Sequence, residues 1–160
     1  MTRKPHVMAV ASAGGHWVQL MRLRPAWAGC RVTYVTTEPD FQEIAQRRAA
    51  QDGEPAPGFH TVIEANLWQK GRLLRQMLGI FLILLRTRPD VVISTGAAPG
   101  YFALRIGRFL GARTVWIDSM ANAGELSLSG QRLGKHADLW LTQWEHLAKP
   151  EGPKYLGSVL

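Results

Sequence analysis

A single cysteine, Cys30, is all that 160 residues provide, so no disulfide closes within the chain. A basic-then-apolar leader is missing as well, because Pro5 and His6 break the pattern and Ala9–Ala11 runs directly into glycines. These two absences lead to the expectation of a reducing, cytoplasmic location. Long apolar runs are also lacking. In the most apolar segment the uninterrupted stretch is Met77–Leu85, well short of the roughly 18–20 residues that cross a bilayer. No G-x-x-x-x-G-K-[ST], no Cys/His metal spacing and no G-x-S-x-G occurs, which removes P-loop phosphoryl transfer, a zinc site and an esterase. No metal and no cofactor is expected. Acidic residues are scarce, 12 against 19 Lys and Arg, for a formal charge of +7.

That charge is local. Lys70, Arg72, Arg75, Arg86, Arg88, Arg105 and Arg108 are opposed within their span by Asp90 alone, so +6 of the +7 lies between residues 70 and 108. Summed charge of this kind attracts nucleic acid, anionic lipid or a phosphorylated substrate without selecting among them; a solvated basic face is the plainer alternative.

The length suits one domain, residues 1–160. Short apolar or β-branched runs at His6–Ala11, Arg31–Thr37, Phe59–Glu64, Val91–Thr95, Thr114–Asp118 and Ala137–Thr142 read as strands. Helical spacing of apolar residues from Trp17, good helix formers over Asp40–Gln51, and the segments Leu73–Leu85 and Tyr101–Leu110 read as the intervening helices. Strands that are apolar throughout, separated by helices, are what a parallel sheet covered on both faces requires. The fold class is therefore α/β, doubly wound, with a mainly parallel, Rossmann-like sheet. Ligands in such sheets bind beyond the carboxyl ends of the strands.

Three loops at those ends carry the polar chemistry. In Ser12-Ala-Gly-Gly-His16 two glycines allow close backbone approach, and the following helix offers free N–H groups. A simple tight turn is the alternative. The dipole at a helix start favours a neutral imidazole, which can take a proton from a hydroxyl; His16 held merely by the loop is the plainer reading. The second loop, Ser94-Thr-Gly-Ala-Ala-Pro-Gly100, brings hydroxyls at Ser94 and Thr95 to Gly96. The third, Asp118-Ser-Met-Ala-Asn122, delivers a carboxylate, a hydroxyl and an amide, although Asp118 and Ser119 are also good helix caps. The candidate substrate-binding residues are Ser12, Gly14, Gly15, Ser94, Thr95, Gly96, Ser119 and Asn122.

Two further segments suggest surfaces. Lys70–Arg88 fits a helix lying among lipid headgroups, with Phe81 in its apolar part and Arg72, Arg75, Arg86 and Arg88 on phosphates; a core helix with snorkelling arginines fits too, and the two readings can coexist. The tail from Trp144 is too interrupted by glycine and proline to add a layer, so Trp144, Leu147, Tyr155, Leu156, Val159 and Leu160 are left as a candidate partner interface.

Taken in order, Ser12-Ala-Gly-Gly-His16, Ser94-Thr-Gly-Ala-Ala-Pro-Gly100, Ile117-Asp-Ser-Met-Ala-Asn122, Leu126-Ser-Leu-Ser-Gly130, Ala137-Asp-Leu-Trp-Leu-Thr-Gln-Trp144 and Tyr155-Leu-Gly157 resemble the asparagine-linked glycosylation protein 14-like family. That family includes the membrane-anchoring subunit of the dolichol-pathway N-acetylglucosaminyltransferase and bacterial exopolysaccharide proteins similar to a glucuronosyltransferase subunit. The resemblance implies the N-terminal half of a GT-B glycosyltransferase, completed by a donor-binding subunit. It implies inverting transfer from a UDP-sugar shared with that partner to a lipid-pyrophosphate-linked saccharide, with His16 as the acceptor's binding group or base and Asp118 as the reserve base. An N-terminal transmembrane helix of the eukaryotic kind is not seen, so peripheral docking on the anionic inner face of the plasma membrane and an exopolysaccharide role are expected; nucleic acid is not an expected partner. A stand-alone Rossmann oxidoreductase, with Glu38 or Asp40 on an NAD ribose, lacks the full G-x-G-x-x-G. A non-catalytic membrane scaffold for the donor-binding subunit is the remaining alternative.

Overall fold

The computed structural model describes residues 3–159. Seven strands form one sheet in the order β3-β2-β1-β4-β5-β6-β7, and every pairing is parallel. They are β1 His6–Val10, β2 Arg31–Thr36, β3 Gly58–Thr61, β4 Val91–Ser94, β5 Arg113–Ile117, β6 Leu139–Thr142 and β7 Lys154–Tyr155. The doubly wound sheet expected from the continuous apolar runs is the observed one.

β1 accounts for the pattern, since all five of its residues are buried. Met8 and Val10 face one core with Ile80, Leu84, Leu104 and Trp116. Val7 and Ala9 face the other with Trp17, Leu20, Trp27 and Tyr34. A strand packed on both sides has no polar face to alternate with.

The helices are α1 Gly15–Arg22, α2 Phe41–Gln51, α3 Lys70–Thr87, α4 Ala97–Phe109 and α5 Leu128–Leu133. α4 begins four residues before the expected Tyr101, because Pro99 falls in the first turn, where no intrahelical N–H bond is lost. Its Gly107 packs so tightly on β4 that a Cβ there would lie 2.8 Å from Val92 Cγ2. α5, read only as polar sequence, is capped by Ser127, whose Oγ accepts from the Gly130 amide at 2.8 Å.

α3, which carries the basic apolar segment, has two faces. Gln76, Ile80 and Leu84 are buried against the sheet, while Leu74, Leu78, Leu82 and Leu85 are exposed in a stripe on the other side. Phe81 is half-buried at the edge of that stripe; Arg72, Arg75, Arg86 and Arg88 are exposed. Arg72 also donates from Nε to the Glu64 carbonyl at 3.0 Å.

The C-terminal segment adds no layer but extends the existing sheet. It adds β7 to the sheet edge, pairing Leu141 with Lys154 and Thr142 with Tyr155. It also returns toward α1, where Arg22 Nη1 donates to the Val159 carbonyl at 2.7 Å.

Candidate functional site

β1 and β4 are neighbours, and the chain leaves them in opposite directions, toward β2 and toward β5. A crevice therefore opens between their carboxyl ends. It deepens into a cleft of about 590 Å³ lined by His16, Gly96, Asp118, Ser119 and Asn122, with Leu67, Tyr101, Phe102, Leu128 and Arg132.

His16 stands in the first turn of α1, behind Gly14, whose φ of 81° is a conformation that glycine adopts without strain. Its Nδ1 lies 2.9 Å from the Thr95 carbonyl oxygen. A carbonyl only accepts, so Nδ1 carries the hydrogen and Nε2 is left as an acceptor in the neutral ring. Thr95 Oγ1 donates back to the His16 carbonyl at 2.7 Å. This reciprocal pair clamps the first and second loops together and fixes the ring. Gly96 makes room for it: a Cβ there would lie 2.6 Å from His16 Cε1, and its φ is 136°. The next residue, Ala97, has φ 65°, a strained conformation costing on the order of 1–3 kcal/mol for a residue with a Cβ.

Asp118 ends β5 at the cleft but is only 2% exposed. Its Oδ1 accepts from the Ser119 amide at 3.0 Å and from Asn122 Nδ2 at 2.9 Å, and Oδ2 accepts from the Ser127 amide at 3.2 Å. Gly130 presses so closely that a Cβ would overlap Oδ2. The carboxylate thus ties the third loop to α5, an arrangement that favours a structural role over the reserve base.

Behind the third loop lies a buried polar relay. Gln19 Nε2 donates to Ser119 Oγ at 3.0 Å, and Gln19 Oε1 accepts from the Met120 amide at 3.0 Å and from Gln143 Nε2 at 2.7 Å. Gln143 Nε2 also reaches the Asp118 carbonyl at 3.1 Å, and its Oε1 accepts from the Val159 amide at 3.1 Å.

The structure brings His16, Gly96, Asp118, Ser119 and Asn122 together in the cleft. Ser94 and Thr95, expected as substrate ligands, are corrected: both are 0% exposed. Ser94 Oγ accepts from the Gly96 amide at 3.1 Å, and Thr95 is held by its clamp with His16. Ser12, Gly14 and Gly15 shape the His16 loop without lining the cleft. Glu38 accepts from the Asp40 amide at 3.3 Å, and neither residue borders the cleft.

In the partner-interface group, Trp144 Nε1 donates to the Met120 carbonyl at 2.8 Å, while Leu147 is half-buried. Tyr155 is partly exposed and Leu156 74% exposed. Val159 is held through its backbone, and Leu160 lies outside the described residues.

The sequence reading missed the cleft's apolar wall and its cation. Leu67 and Leu128, both exposed, line the cleft. Arg132 enters from α5.

Residues 7–159 match the family described as Oligosaccharide biosynthesis protein Alg14 like. The chain belongs to that family. It is 28% identical over 153 residues to the UDP-N-acetylglucosamine transferase subunit ALG14 of Candida albicans, covering 84% of this chain and 68% of that protein. It is also 28% identical over 182 aligned positions to the subunit of the same name from Rattus norvegicus, covering 96% and 82%. Among solved structures it is similar to Acinetobacter baumannii MurG (TM-score 0.69, 15% identity), covering 96% of this chain and 45% of that one. It also resembles the UDP-N-acetylglucosamine 2-epimerase of Rickettsia bellii (TM-score 0.61, 13% identity), covering 90% and 40%. The chain thus spans less than half of each of these two enzymes, and its fold is that of the Rossmann-like N-terminal half of a GT-B protein. Among the described residues no helix is long and apolar enough to cross a membrane.

Proposed function

We propose that this chain is the acceptor-binding, membrane-docking subunit of a two-component inverting glycosyltransferase in exopolysaccharide or oligosaccharide synthesis. A donor-binding partner supplies the C-terminal half of the GT-B enzyme and most of the UDP-sugar site. The acceptor, a lipid-pyrophosphate-linked saccharide, lies in the His16 cleft.

The observation that carries this reading is the fixed tautomer of His16. With Nδ1–H donated to the Thr95 carbonyl, Nε2 is the base on the cleft wall. As the acceptor hydroxyl attacks the anomeric carbon, its proton passes to Nε2. The new C–O bond forms on the face opposite the bond to UDP, which breaks with its electron pair on the departing phosphate, so the configuration inverts. The imidazolium that results strengthens its Nδ1–H bond to Thr95. Membership of a family whose relatives are named UDP-N-acetylglucosamine transferase subunits supports a transferase role.

The leucine stripe of α3 supports the docking part, with Arg75 and Arg86 beside it for lipid phosphates and Arg72, Arg88 and Phe81 at its margins. We place that docking on the inner face of the plasma membrane. Tyr155 and Leu156, outermost on the β7 edge, are the favoured contact for the donor-binding subunit.

The deciding experiment is His16→Ala in the reconstituted pair, with transfer measured at saturating donor. A loss of about 10²–10⁴-fold is expected for a missing general base. Turnover at the wild-type rate would remove the role.

A further inference from the structure

We propose that Arg132 binds a phosphate of the acceptor and thereby selects a phosphate-bearing substrate and sets its direction in the cleft. The inference rests on the acceptor reading above and assigns to that same site a group the family match leaves unassigned.

Arg132 is exposed, lines the cleft, and has no hydrogen bond or ion pair among the described residues. Other arginines do have carboxylate partners: Arg3 with Asp90, Arg24 with Asp52, Arg47 with Glu43 and Arg108 with Asp138. The one carboxylate lining the cleft is Asp118, and its oxygens already accept three donors from their own loops. Among the described residues Arg132 is thus a cation of the cleft wall that forms no ion pair, since Asp118 is held by its own loops. A guanidinium presents a planar fork of donors that matches two phosphate oxygens at once. Ser129, which lines the cleft close by, supplies a further hydroxyl.

The neighbours give the direction. Leu128 lies one helical turn from Arg132 on α5, so the two share a face, and Leu128 and Leu67 are exposed apolar residues of the cleft lining. A phosphate on Arg132 places its lipid chain over Leu128 and Leu67 and leaves the sugar to reach His16 Nε2.

A phosphate can also belong to UDP or to a membrane headgroup, so the test has separate arms. In the reconstituted pair, Arg132→Ala is expected to raise the acceptor KM by about 10–100-fold, the range for a lost charge-assisted contact, with kcat within about twofold and the UDP-sugar KM unchanged. Arg132→Lys recovers part of the loss, and an alkyl glycoside acceptor without phosphate is used equally by variant and parent. In the isolated chain, geranyl pyrophosphate shifts NMR signals of the cleft, geraniol does not, and Arg132→Ala removes the difference. Binding to anionic vesicles is unchanged. An unaltered acceptor KM, a raised UDP-sugar KM, or lost vesicle binding would each overturn the assignment. If the wild-type pair transfers no sugar, the acceptor reading fails, and the geranyl pyrophosphate arm still decides whether Arg132 binds phosphate.

Discussion

Asp118→Asn separates the two acid–base candidates, because among the described residues both oxygens of Asp118 accept hydrogen bonds whereas His16 is bonded through Nδ1 and not through Nε2. The asparagine carbonyl can replace Oδ1 and keep the bonds from the Ser119 amide and Asn122 Nδ2. Its amide nitrogen then takes the place of Oδ2 and points N–H at the Ser127 amide. One bond to a charged acceptor is lost, worth about 1.5–3 kcal/mol, and a buried donor is left unpaired at about 1–3 kcal/mol. Because the two costs overlap, the expected destabilisation is about 3–4 kcal/mol, or a fall in Tm of roughly 6–16 °C for a domain of this size. Urea unfolding of the isolated chain followed by far-UV circular dichroism reads the first quantity, and thermal melting the second. Transfer by the reconstituted pair, assayed well below the variant's Tm, is expected to fall less than about tenfold. A variant as stable as the parent but slowed by about 10²-fold or more would refute this reasoning and make Asp118 a proton-transfer group.

Three other outcomes are expected. Replacing Leu78 and Leu82 by Glu on the exposed stripe of α3 abolishes flotation with phosphatidylglycerol vesicles and leaves Tm nearly unchanged, since neither residue is buried; retained flotation would place docking elsewhere. Leu156→Asp breaks co-purification with the donor-binding subunit without unfolding the chain, whereas deletion of the segment would also remove β7; a stable complex of the point variant would move the interface away from the edge. Acid weakens the fold in the histidine range. Burial, then the Arg31 charge, lowers the pKa of His6 below its ordinary 6.5, and burial, then Arg86, does the same for His60. The folded chain thus binds fewer protons than the unfolded one, so this stability is complete above 6.5 and declines as pH falls through it toward the folded-state values. The expected melting profile is flat from about pH 7 to 8 and falls toward about pH 5; a rise over that interval would contradict the shifts.

The parallel sheet was legible because strands buried on both faces need apolar residues without interruption, as β1 has. β7 left no such mark. It is two residues, Lys154 and Tyr155, both exposed, and it joins the sheet through backbone pairing that side-chain type does not encode. At the site, the glycines and His16 were readable because a positive φ and a close ring restrict the residue at Gly14 and Gly96. The direction of Ser94 and Thr95 was not readable, since a hydroxyl at a strand end serves equally well facing the core or the crevice. Arg132 escaped notice for another reason: α5 is a six-residue helix, too short for periodicity to show which residues share a face with the cleft.

The glutamine relay gives the proposed partner surface a mechanical relation to the cleft. Gln19 and Gln143 are 3% and 4% exposed, and together they hold Ser119 Oγ, the Met120 amide, the Asp118 carbonyl and the Val159 amide. A buried polar network whose members are paired resists displacement, because moving one group leaves others unpaired at about 1–3 kcal/mol each. Trp144 adds a second tie by donating to the Met120 carbonyl. The segment carrying Tyr155 and Leu156 is therefore fixed at both ends, by β7 pairing before it and by Arg22 and Gln143 at Val159 after it. A partner seated there would be held in fixed register with Ser119 and Asp118, so its donor site could be aligned with His16 without any rearrangement of this half.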